Sequence, residues 1–477
     1  MKYSFLCIAL VNCSTLFAAG ADQVTRIPAP ALAQAGLLRD AALKDDTAYR
    51  LLEALTTEIG PRLAAGENDA KAREWVSARF KALGFDKVYS EPVKYPKWVR
   101  RHELGAILAP YPQRLVLAAL GHSVATPNGG MSAEVVRFDN LAALKAADPA
   151  AVKGRIVYIG FHMQRSRDGT DYGTASAIRV TGPAAASDKG AAAYLLRSAG
   201  TDANERIAHT GVTEFGNAKG IPAAALSNPD ADQLERELAT CKPVSVQLDI
   251  DVGFDGDYVG ANVIGEVTGS TKPDEIVEMG GHLDSWDPGT GAIDDGAGVA
   301  IATAAAHLIA RLPEHPARTI RVIAFANEEA GLYGGNAYAD VHATEVGKHI
   351  LGSESDFGAG PVWRMSASVK PQARAAIAQI AAVLTPLGVA YDPKRDAGGG
   401  PDLSALHKKG MAALTLTQDG THYFDWHHTA NDTFDKVDPK DLAQNVAVYA
   451  AWTYLAAQAD GDFGSAPGAF KKEKGED

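Results

Sequence analysis

From about residue 255 onward, short apolar strands alternate with apolar helices, and the strands run out on histidines or acids. The pattern predicts a strand over 276–279 ending just before His282 and a long buried helix over 297–312. A second buried strand over 319–326 ends at Asn327-Glu328-Glu329, and a third over 348–353 ends near Asp356. A helix over 373–387, a strand over 411–416 and a closing helix over 442–457 complete the series. Such alternation implies an α/β class, a three-layer sandwich around a mostly parallel sheet. In sheets of this kind ligands gather at the carboxyl ends of the strands, which is where the polar residues fall.

Upstream, apolar spacing predicts helices over 49–59 and 69–83 that carry no chemistry. From 106 to 254 the texture shifts to short β-branched runs at 135–136, 156–159 and 244–250, with an Ala-rich helix over 183–196. This stretch reads as a smaller mixed domain inserted into a larger one made of 40–105 and 255–460, with a C-terminal tail at 461–477. Residues 1–21 read as an export signal: Lys2, an apolar run from Tyr3, then Ala19-Gly20-Ala21. Export places the mature chain in a periplasm or outside the cell. Cys7 and Cys13 would leave with the signal, so Cys241 has no partner for an internal disulfide. No later run reaches the roughly 18 apolar residues of a membrane span. With 58 acids against 46 bases and a net charge of −12, the chain is no candidate for nucleic acid or anionic membranes.

In Gly281-His282-Leu283-Asp284, residues two apart share a face, so the Asp284 carboxylate is expected to hold one nitrogen of His282 and aim the other at a metal. Asp294-Asp295 sits among glycines before the long helix. Helix capping explains one of these acids but not both. Glu328-Glu329 follows a buried strand, a costly place for two carboxylates, which suggests that one binds a cation while the other handles a proton. Ser353-Glu354-Ser355-Asp356 adds a further acid. His427-His428 stands close before Asp432. Together these form a mixed nitrogen and oxygen donor set suited to zinc, with Asp294 placed to bridge two ions.

The segments GGHLDSWDPGTGAIDDGAG, FANEEAGLYGG, SESDFGAG, GGGPDLSAL and YFDWHHTANDTFDKVDP, with IGPR at 59–62, resemble metallopeptidase family 28, most closely its carboxypeptidase Q branch. The resemblance covers roughly residues 40–460 and implies two Zn²⁺. His282 and Asp356 would bind one ion, Glu329 and a late histidine the other, and Asp294 both. The family spacing, four residues before the acid, selects His428 over His427. Glu328 would be the general base and acid, and Asp284 the support of His282. An exopeptidase acting on dipeptides or short peptides is implied, as is a homodimer, and the insert resembles a protease-associated domain. Two rivals are an amidohydrolase or cyclase on the same scaffold, and a non-catalytic ectodomain. The latter expects lost ligands, whereas every expected position here is filled.

Overall fold

The strand Arg318–Phe325 is buried along its whole length, as expected of a strand with helices on both faces. The structure is a computed structural model that describes residues 24–470. The export signal at 1–21 and the charged end 471–477 lie outside the described residues.

In chain order the strands are β1 (Lys87–Ala109), β2 (Gln113–Leu115), β3 (Leu117–Ala119), β4 (Met131–Phe138), β5 (Ile156–Ile159), β6 (Ala193–Arg197) and β7 (Ala223–Leu226). They continue as β8 (Ser245–Val267), β9 (Lys272–His282), β10 (Arg318–Phe325), β11 (His349–Glu354), β12 (Val362–Ser368), β13 (Ala390–Tyr391) and β14 (Ala413–Gln418). All belong to one 14-stranded sheet in the order β13-β12-β14-β11-β9-β10-β8-β4-β5-β6-β7-β3, with β1 and β2 off this path, β1 paired to both β8 and β2. The central neighbours β10, β9, β11 and β14 are parallel, so their carboxyl ends share one edge.

Period-two alternation along β10 divides its side chains between two cores. Ile320, Val322 and Ala324 face a large core with the helices Ala297–Ala310 and Pro439–Gln458, while Ile323 and Phe325 face a smaller one under the helix Tyr333–Val341. That is the expected three-layer arrangement. The run Ala292–Ala310 is apolar enough to cross a membrane by composition, but 89% of it is buried inside the protein, so it is the core helix the sequence suggests. Asp438 caps the closing helix by accepting the N–H groups of Lys440 and Asp441, with Pro439 following it at the first position.

One expectation changes. The Ala-rich segment at 183–196 is not one helix. The helix runs earlier, Tyr172–Asp188, with Pro183 inside it, and Ala193–Arg197 is the central strand β6. A strand buried on both faces is uniformly apolar and loses the alternation that separates it from a helix. In the described part of the C-terminal tail, 461–470, Phe463 is fully buried and Ser465 Oγ accepts the Ala412 N–H at 2.8 Å. Between the two halves, β1 and β8 run side by side from Lys87–Glu266 to Ala109–Ser245, so a single ribbon carries the chain into and out of the 106–254 region. Beyond it, β5 alternates in the same way, Ile156 and Tyr158 into one core and Val157 and Ile159 into another.

Candidate metal centre

His282 ends β9. Asp284, Glu328-Glu329, Asp356 and His427-His428 follow the ends of β9, β10, β11 and β14, all at the same edge of the sheet. The Asp294 turn closes over that edge. Gly291 makes the turn possible with φ of 61°, a backbone state that glycine adopts without strain. Arg62, fully buried, then fixes it. Its guanidinium donates to the carbonyls of Leu283 at 2.6 Å, Thr290 at 2.6 Å, Gly291 at 2.8 Å and Gly60 at 3.1 Å. The IGPR segment therefore frames the turn that presents Asp294.

Asp294 stands between two donor pairs. Its Oδ1 lies 3.2 Å from His282 Nε2, and that nitrogen lies 3.6 Å from Asp356 Oδ1. Its Oδ2 lies 3.2 Å from His428 Nε2, which lies 2.9 Å from Glu329 Oε2. The sequence-predicted residues His282, Asp294, Glu329, Asp356 and His428 are thus brought together as two pairs sharing one carboxylate. Asp294 Oδ2 and Glu329 Oε1 are buried without a hydrogen-bond donor. Buried carboxylate oxygens rarely remain so unless a cation serves them. The donor set therefore fits divalent metals.

The adjacent candidates separate on geometry. Asp295 is fully buried, and its oxygens are engaged by the backbone N–H groups of His282 at 3.1 Å and Gly298 at 3.0 Å, so it shapes the turn. His427 stacks on His428 with ring centroids 3.6 Å apart and reaches Asp294 Oδ2 at 3.5 Å. Of the two rings, His428 is the one paired with Glu329. His428 also adopts φ of 62°, and Asn327, just before the two glutamates, φ of 51°. Non-glycine residues held there cluster at functional sites. With its Nδ1–H given to the Thr210 carbonyl at 3.3 Å, His428 keeps Nε2 free for a metal.

Asp284 works differently from the sequence expectation. Its carboxylate stands 3.7 Å from His282 Nδ1, too far for a hydrogen bond. The ring donates instead to the Asp284 carbonyl at 3.0 Å, and the carboxylate accepts the N–H groups of Glu328 at 3.0 Å and Glu329 at 3.4 Å. The tight turn at Leu283 brings the carbonyl, and not the side chain, to the ring. His282 is still oriented as expected, by a different atom.

Burial, with the charges of Asp356, Glu329 and Asp402, holds the Glu328 carboxyl well above its ordinary range, against the pull of His282. Burial opposes the charge on His428, yet Glu329 and Asp294 push it up to about 9. Burial and Asp294 push Asp432 up to about 7, and its Oδ1 accepts the Ile293 N–H at 2.7 Å beside the bridging residue.

The centre opens into a cavity of about 480 Å³ lined by Asp294, Glu328, Glu329, Asp356, Tyr423 and both histidines. The insert gathers a metal-type group of its own, His162, Asp232 and Glu235, none of which lines this cavity. It does supply a wall: Tyr172, Ser176, Arg179, Val212 and Glu214 line the same cavity. It also clamps the histidine loop. Arg165 grips Asp425 at 2.6 and 2.7 Å, and His209 Nδ1 donates to the His427 carbonyl at 2.7 Å. Nothing in the local sequence announces these contacts, because they join segments more than 200 residues apart.

Comparison with known proteins gives the same reading of the fold. Residues 262–453 match the model of peptidase family M28. The chain is 32% identical to carboxypeptidase Q of Bos taurus over 412 residues, 86% of this chain and 85% of that one. The crystal structure of a peptidase M28 precursor from Shewanella amazonensis is 46% identical and superposes with a TM-score of 0.89, covering 92% of this chain and 99% of that one. A zinc aminopeptidase from Bacillus subtilis shares the fold at 20% identity and a TM-score of 0.60, over 85% of this chain and 93% of its own.

Proposed function

The chain belongs to peptidase family M28, and on that premise we propose that it is an exported di-zinc exopeptidase cleaving dipeptides or other short peptides. The observation that carries this reading is the Asp294 carboxylate, whose two oxygens face separate donor pairs. His282 and Asp356 would hold one Zn²⁺ with Asp294, and Glu329 and His428 the other. When bound, the two ions supply Lewis acidity and an acidified water at neutral pH.

The protein's own groups do the rest. Glu328, on the cavity wall, accepts the proton of the attacking water and returns it to the leaving amine. The Asp284 carboxylate fixes the backbone of that glutamate, and its carbonyl fixes the tautomer of His282. Tyr423, lining the cavity, is our candidate donor to the tetrahedral oxyanion. The cavity volume of about 480 Å³ suits a ligand the size of a dipeptide. Export is supported by the residues at 1–21.

Purified mature protein should carry close to two zinc equivalents, hydrolyse members of a dipeptide and aminoacyl panel, and lose activity to chelators. Active protein holding one metal or none would defeat the reading.

A further inference from the structure

The segment from His342 to His349 joins the helix Tyr333–Val341 to the start of β11, at the opposite end of the strands from the metal centre. A 3₁₀ stretch, Ala343–Lys348, makes the join, and in such a turn residues three apart lie over one another. His342 and Glu345 face each other in this way, with Nδ1 2.9 Å from Oε1. His349, the first residue of β11, sets its ring edge-on to that of His342 with centroids 5.2 Å apart. One donor atom from each of the three lies within 4.8 Å of the others.

Each imidazole has a carboxylate behind it. His349 Nδ1–H donates to Glu278 Oε1 at 2.7 Å, and His342 Nε2–H donates to Glu91 Oε1 at 3.1 Å. The remaining nitrogens are His349 Nε2 and, opposite Glu345, His342 Nδ1. His349 is fully buried, and its Nε2 has no hydrogen-bond partner. A carboxylate that holds one imidazole nitrogen and leaves the other free is the arrangement that presents histidine to a metal. Glu91 Oε2 and Glu278 Oε2 are also buried without a donor. Among the described residues, each of these two acids has an imidazole as its only ion-pair partner. The same signs mark the metal centre, where His428 and Glu329 also approach to 2.9 Å and Asp294 Oδ2 and Glu329 Oε1 lack donors. The group His162, Asp232 and Glu235 of the insert differs: Arg197 already pairs with both acids, and the histidine is exposed.

We propose that His342, Glu345 and His349 form a further zinc site, structural in kind, that ties the end of the helix Tyr333–Val341 to the start of β11. Two nitrogens and one carboxylate oxygen suit Zn²⁺, with water completing a tetrahedron. The Glu345 side chain, 39% exposed, opens the site to solvent. Binding here is weaker than at the shared-carboxylate centre. The ion must displace the proton that His342 holds between Glu91 and Glu345, and it competes with Lys348, whose Nζ stands 3.1 Å from Glu345 Oε2. Protein as purified therefore carries zinc at the centre alone, and the further site fills from added zinc.

The test adds Zn²⁺ to untagged mature protein already loaded at its centre and counts bound metal by equilibrium dialysis and elemental analysis. The wild type should take up one further equivalent. Glu345→Gln and His342→Gln should lose that equivalent while keeping peptidase activity. Glu91→Gln should weaken it by about 10- to 100-fold, the usual effect of removing the partner behind a ligand. Added zinc should also raise the thermal midpoint of the wild type but not that of Glu345→Gln. His162→Gln, which removes the exposed histidine of the insert, should bind as the wild type does. A wild type that takes up no zinc beyond its centre overturns the proposal, whether or not the variants fold. So does a further equivalent that survives both Glu345→Gln and His342→Gln, or one that disappears with His162→Gln. Because the count is a difference between wild type and Glu345→Gln, it stands apart from how many ions the centre holds and from whether the chain cleaves peptides.

Discussion

The Asp284 carboxylate accepts the backbone N–H of Glu328 at 3.0 Å, while the carbonyl of the same residue accepts Nδ1–H of His282, also at 3.0 Å. One residue therefore sets both the proton carrier and a metal-facing imidazole, through different atoms. Asp284→Ala should leave the carbonyl bond, and with it metal content, close to wild type. It should release the Glu328 backbone and lower kcat by about 10- to 100-fold, as loss of such supporting partners does. Zinc content measured beside kcat decides: loss of metal in step with activity would show that the side chain orients His282 after all.

Glu328→Gln keeps shape and removes the base. We expect folded, zinc-loaded protein with kcat reduced by at least about 10²–10⁴-fold. Glu329→Gln, at 2.9 Å from His428, should instead weaken one metal site and make activity depend on added zinc. A fully active, zinc-loaded Glu328→Gln protein would refute the proposed mechanism.

The neighbouring pair Asp294 and Asp295 should fail in different ways. Asp294→Ala should strip metal and activity together, because its two oxygens serve both donor pairs. Asp295→Ala leaves the N–H groups of His282 and Gly298 buried without acceptors, about 1–3 kcal/mol for each. It should lower the midpoint of urea unfolding more than it lowers metal content at saturating zinc. The opposite pattern would reverse the assignment.

Arg62→Lys keeps the charge but cannot reach four carbonyls at once. The turn carrying Asp294 should loosen. We expect weaker zinc binding by titration and a loss of at least about 1–3 kcal/mol in unfolding free energy. Unchanged values for both would remove Arg62 from the account of the site.

Away from the centre, His342 lies between Glu91 at 3.1 Å and Glu345 at 2.9 Å. Burial opposes its charge, but the two carboxylates raise its pKa above the ordinary 6.5, while His342 holds Glu345 down at about 2. The raised imidazole stabilises fully below 6.5 and loses that contribution as pH climbs through its folded value. The depressed carboxyl stabilises fully above 4.5 and loses it as pH falls towards 2. The stability gap between wild type and His342→Gln should therefore be widest between 4.5 and 6.5 and narrow at alkaline pH. A gap that keeps widening as pH rises above 6.5 contradicts this.

The central sheet was legible because each strand end carries a chemically conspicuous residue and each strand is apolar. His282, Glu329 and Asp356 needed only the rule that parallel strands present their carboxyl ends together. Side-chain identity could not reveal which atom of Asp284 meets His282, since a carbonyl is common to every residue. Nor could it reveal Arg179, which reads as an ordinary helical arginine until tertiary packing brings the insert against the histidine loop. β6 was misread because a strand buried on both faces carries no period at all.

Finally, the ribbon has a consequence for synthesis. Lys87 pairs with Glu266 and Ala109 with Ser245, so during translation β1 emerges long before its partner exists. A nascent edge of 23 residues is an invitation to pair with a stranger. Its sequence answers that hazard with Pro92 and Pro96 and with Lys87, Lys94, Lys97, Arg100 and Arg101, the gatekeepers that keep a waiting strand soluble. Four of these basic residues, Lys87, Lys94, Lys97 and Arg101, later meet Glu266, Asp257, Asp255 and Asp251 of β8, so the charges that keep β1 single on the ribosome help choose its partner afterwards.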